Sequence, residues 1–126
     1  MKKTITMILA VVLLVSALSI TASAASKYTS GRYRGKSWSG SVSAYPHSAS
    51  ASLSYAGSEK LQIRLSCQTR QVENNVALLR YITKISDGGI QQDSVTINRS
   101  NSETVTYATA VFYIDGASVS TCNINR

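Results

Sequence analysis

KSWSGSVSAYPHSASASLSY, residues 36–55, has a side-chain period of two with a single inversion. Before the inversion Trp38, Gly40, Val42 and Ala44 alternate with Ser37, Ser39, Ser41 and Ser43. After it Ala49, Ala51, Leu53 and Tyr55 alternate with Ser48, Ser50, Ser52 and Ser54. Successive side chains of an extended chain point to opposite faces, so each half is a strand with one apolar and one hydroxyl face. A turn at Tyr45-Pro46-His47 joins the halves antiparallel and accounts for the inversion. A helix would scatter the same serines around its whole circumference.

Towards the C-terminus the pattern continues. Ala56-Gly57-Ser58-Glu59 reads as the next turn. Leu61, Ile63, Leu65 and Cys67 then alternate with Gln62, Arg64, Ser66 and Gln68, which puts Cys67 on a buried face. Thr104 to Ile114 is β-branched and aromatic, Asp115-Gly116 is a two-residue turn signal, and residues 117–124 return. Placing Ile114 opposite Ala117 sets Thr109 opposite Cys122. Cys122 then shares a face with Tyr107, Val111, Tyr113 and Ile124, with Phe112 on the other; one bulge residue would reverse this. Val76 to Ile85 is apolar on both parities, which fits a central strand covered on both faces. A helix over 70–86, closed by Gly88-Gly89, is the alternative; the strand is the reading taken, followed by a turn at 86–89 and a short strand over 90–97. Six to eight short strands predict an all-β domain, a small antiparallel β-sandwich or flattened barrel.

Towards the N-terminus the character changes. Met1-Lys2-Lys3, an uncharged apolar run from Ile5 to Ile20, and Ala22-Ser23-Ala24 form the three parts of a cleavable helical signal peptide, residues 1–24, cut after Ala24. An uncleaved anchor is the alternative, since residues 4–26 carry no charge over a length that spans a bilayer. The expectation is a secreted protein with a bacterial-style leader. No lipid or other covalent anchor is expected. Loss of Lys2 and Lys3 lowers the net charge from +7 to +5. The remainder divides into a basic, aromatic segment over 25–35, its flexibility left open, and a single β domain over 36–126.

The two cysteines, Cys67 and Cys122, are even in number in an exported chain, so a disulfide between them is expected over a zinc site, which two thiolates cannot complete. Closing a loop of about 55 residues would stabilise the fold by roughly 4 kcal/mol in the chain-entropy picture. Two buried free thiols are the alternative.

Signals for catalysis are thin. The one histidine, His47, sits in a predicted turn, and no nucleophile-elbow pattern encloses the serines near it. Glu59, Asp87 and Asp115 have turn positions; Asp93 and Glu103 could meet only through the tertiary fold. No glycine-rich phosphate loop, metal-ligand spacing or cofactor motif is present, so no metal or cofactor is expected and the protein is not expected to be an enzyme. The richest feature is the run Lys27, Tyr28, Arg32, Tyr33, Arg34 and Lys36, cations interleaved with rings and free of acids. Such a set suits an anionic polymer, a lipid headgroup surface or a glycan through charge and stacking; it also suits a merely solubilising terminus. Export makes nucleic acid an improbable partner. The expectation is therefore a non-catalytic binding protein meeting an anionic or glycan surface of the cell envelope, or an extracellular protein. An exported antagonistic factor (antimicrobial or enzyme inhibitor) and a small hydrolase are the alternatives.

Overall fold

The computed structural model describes residues 24–126, so the leader expected over 1–24 lies, except for its last residue, outside the described residues. Nine strands follow in order: β1 (Ala25–Tyr33), β2 (Lys36–Tyr45), β3 (Ser48–Tyr55), β4 (Lys60–Glu73), β5 (Val76–Ile85), β6 (Gly89–Ile90), β7 (Gln92–Asn98), β8 (Thr104–Ile114) and β9 (Ala117–Asn125). They form two antiparallel sheets: sheet A in the order β1-β2-β3-β7, and sheet B in the order β5-β4-β8-β9 with β6 also on β4. No closed barrel forms, because each sheet keeps its own edges. The flattened-barrel option is thereby replaced by two open layers, and nine strands replace six to eight.

The serine-rich hairpin pairs as its alternation demands. Trp38 faces Tyr55, Val42 faces Ala51 and Ala44 faces Ala49, and all six are buried. Leu61, Ile63, Leu65 and Cys67 of β4 meet them from sheet B, joined by Ala108, Ala110, Phe112 and Ile114 of β8. Gly40 lets the layers approach: a Cβ there would lie 2.9 Å from the Phe112 ring. Hydrogen bonds tie the sheets along both sides. Thr29 and Ser120 hydroxyls meet at 3.2 Å between β1 and β9, and the Lys84 ammonium donates to the Thr96 carbonyl at 3.1 Å between β5 and β7.

Four expectations change. The last hairpin does place Ile114 opposite Ala117, but the register shifts after Tyr113↔Ser118, leaving Val119 unpaired. Cys122 consequently faces Ala110, not Thr109, and Phe112 rather than Tyr107, Val111 and Tyr113 looks inward with it. The disulfide is absent as well: Cys67 and Cys122 are free, buried thiols. Strand β8 runs between their strands, pairing Cys67 with Ala108 and Cys122 with Ala110. Two ladder steps of about 4.8 Å separate them, beyond the ~7 Å Cα reach of a bridge. Third, 76–85 is a strand, but it is the edge of sheet B and mostly exposed, not central. Last, residues 25–33 are a strand paired along their full length with β2.

A candidate binding face on sheet A

Pairing turns the serine rows into a two-dimensional array. Opposed residues of antiparallel strands share a face. The outer face of sheet A therefore carries the row Ser26, Ser43, Ser50, Thr96, the row Tyr28, Ser41, Ser52, Ser94, and the row Ser30, Ser39, Ser54, Gln92. Arg32 and Ser37 begin a fourth. Strand spacing and pleat set a grid of about 4.8 by 6.8 Å. At the end near Ser43 and Ser52 the hydroxyls satisfy one another, Ser26 to Ser43 at 2.9 Å and Ser41 to Ser52 at 2.8 Å.

From the Ser41–Ser52 pair onward the face sinks into three adjoining depressions. The largest, about 1060 Å³, has Ser30, Arg32, Ser37, Ser39 and Ser54 along it, with Ile90, Gln91 and Gln92 forming one wall. A second, about 460 Å³, continues past Ser39 and Ser54 to Tyr28, and a third, about 550 Å³, runs from Ser54 and Gln92 to Asp87 and Asp93. Ser54 lines all three. The Gln91 wall stands where it does because Gln91 takes a left-handed φ of 68° while its carbonyl accepts from the Tyr55 amide at 2.9 Å. Behind it, Ser86 accepts from the Ile63 amide at 2.8 Å and donates to the Asp93 carboxylate, pinning the turn that carries the third depression.

The six residues singled out in the N-terminal run do not form one cluster. Tyr28 and Arg32 lie on this outer face; Tyr28 is 79% exposed. Tyr33 turns inward, its ring 6.2 Å from that of Tyr55. Arg34, in the β1–β2 turn at φ 49°, stacks over Tyr33 at 5.2 Å and pairs with Asp115 at 3.3 Å and Glu59 at 3.8 Å. Its charge is used within the fold. Lys36, exposed beside that turn, and Lys27, on the opposite parity of β1 from Tyr28, point away from the serine face. Cations elsewhere are committed too. Arg99 and Arg80 hold Glu103, which is 3% exposed, and the Arg99 hydrogen bond keeps that carboxyl below the usual glutamate range.

Neither catalytic candidate is assembled. His47 Nδ1 donates to the Glu103 carbonyl at 2.8 Å, so this ring nitrogen carries the proton and ties the β2–β3 turn to the β7–β8 crossing. Asp93 lies near the start of β7 and Glu103 beyond its far end, held by Arg99; six residue steps separate Asp93 from Arg99, roughly 20 Å for an extended chain and too long for a glycosidase pair. Among the described residues no group of three metal-ligating side chains occurs. What sequence reasoning missed was the use of the serines: alternation revealed the face, while two of the three depressions depend on where residues 86–92 return.

Compared with protein-family models, with curated proteins and with solved structures, the chain matches none of them.

Proposed function

We propose that this is a non-catalytic extracellular binding protein whose outer sheet A face holds a glycan chain of the cell envelope. The observation that carries the reading is the unbroken run of three depressions that meet at Ser54, edged by Ser30, Ser37, Ser39 and Ser54, whose hydroxyls make no side-chain hydrogen bond among the described residues. A serine hydroxyl both donates and accepts, which matches the hydroxyls of a sugar ring. Gln92 adds an amide, Arg32 a fork of donors, and Tyr28 an exposed ring for stacking against a sugar face. Charge favours a neutral or weakly charged glycan over a strong polyanion. Arg32 at one end of the track is offset by Asp87 and Asp93 at the other, and the remaining cations are dispersed or paired.

Retention on insoluble glycans (chitin, xylan and bacterial sacculi) tests this, using protein expressed from the full chain and purified after export. Retention on at least one, largely unchanged between low and high salt, is the expected result. Tyr28→Ala should weaken it about tenfold, equivalent to ~1.4 kcal/mol. Retention that washes off with salt would point instead to a polyanion held by charge. Absence of retention on every glycan would remove the proposal.

A further inference from the structure

Strand β5 presents a conflict between sequence and position. VALLRYITKI is apolar on both parities, as in strands covered on both sides, yet β5 is an edge and nine of its ten residues are exposed. Val72, Val76, Leu78, Leu79, Tyr81 and Ile85 are 40–73% exposed and lie together on β5 and the end of β4 that pairs with it. Val76 and Leu78 lie on one face of the strand and Val72, Leu79, Tyr81 and Ile85 on the other, so apolar side chains flank the free edge on both sides.

The edge is also unguarded. Natural edges are blunted by proline, bulges or short length. Strand β5 has no proline or glycine, runs for ten residues, and keeps unbroken register with β4 from Arg64↔Ile85 to Glu73↔Val76. Its two cations are turned towards other strands: Arg80 pairs with Glu103, and Lys84 bonds the Thr96 carbonyl. Among the described residues nothing pairs with the free side of β5, so a row of backbone donors and acceptors is left open there between apolar flanks.

We infer that β5 pairs antiparallel with β5 of a second copy of this chain across a two-fold axis, making one continuous sheet of the two B sheets. A second copy completes the ladder and sets its own apolar side chains beside these as cross-strand neighbours on both faces. Lipid would cover the side chains alone, since an open strand edge in hydrocarbon leaves its backbone groups unsatisfied. The axis passes at Leu79 or Tyr81 rather than Arg80, which would otherwise oppose its own copy.

Sedimentation of the exported protein over a concentration series reads the result. A dimer with a dissociation constant in the micromolar range is expected. The double variant Leu79→Lys, Tyr81→Lys, altered only at exposed positions, should keep its strand circular dichroism and sediment as a monomer. A monomer at all concentrations overturns the inference. So does a dimer that survives the double substitution, which would place the contact elsewhere, or a monomer that instead co-sediments with phosphatidylglycerol vesicles.

Discussion

Phe112 stands over Gly40, and that contact sets how closely the two sheets pack. A methyl group added at Gly40 would meet the ring at 2.9 Å, with Phe112 wholly buried and unable to swing into solvent. Gly40→Ala should cost about 1–3 kcal/mol by chemical denaturation, the usual range for overpacking a core. Gly31→Ala, facing the Trp38 ring at 2.9 Å but on an edge strand, should cost less. Titration is equally local at Glu103. Its carboxyl is depressed below the ordinary value of 4.5 by Arg99 and then Arg80. A depressed carboxylate contributes stability above its unfolded value, and that contribution is lost as pH falls through the folded one. Thermal stability should therefore drop as pH is lowered below about 4.5, and Glu103→Gln should flatten that drop; an unchanged profile would remove this role. Burial raises both thiols, so Cys67 and Cys122 should resist alkylation until the protein unfolds.

Strands show how far the sequence could be read. The alternation of residues 36–55 is so regular that antiparallel pairing and buried face both followed from it, and the observed register keeps every apolar side chain inside, where a one-residue slip would expose them all. Cys122 was misplaced for the complementary reason. Period counting assumes an unbroken ladder, and Val119 inserts one residue whose presence depends on tertiary packing against the core. Deleting Val119 should remove the bulge and leave an unbroken ladder in which Cys122 still opposes Ala110 and Ile124 still opposes Ala108, so the loss should be confined to Val119's own packing against the core. Cys122 should stay protected from thiol reagents in the folded protein; ready reaction would show that the hairpin takes another register once Val119 is gone. The edge position of β5 was hidden differently. Hydrophobicity on both parities signals that a strand is covered, and it does not say by which molecule.

At the scale of the molecule, the two faces of sheet A divide the work. One side packs against sheet B, and the other offers hydroxyls around three depressions, two of which appear only when residues 86–92 fold back beside Ser54. Composition announced the serines but not their convergence, because Ser30, Ser39, Ser54 and Gln92 come from four strands and meet only through pairing. Positive charge was the stronger signal in the sequence and is the weaker one in three dimensions, since Arg34 pairs with Asp115 while Arg80 and Arg99 share Glu103. Backbone amide chemical shifts recorded while a soluble oligosaccharide of the retained glycan is added would locate the contact directly. The account predicts perturbations centred on Tyr28, Ser30, Ser39, Ser54 and Gln92, with sheet B silent. Perturbations confined to the outer face of sheet B, or none at saturating sugar, would contradict it.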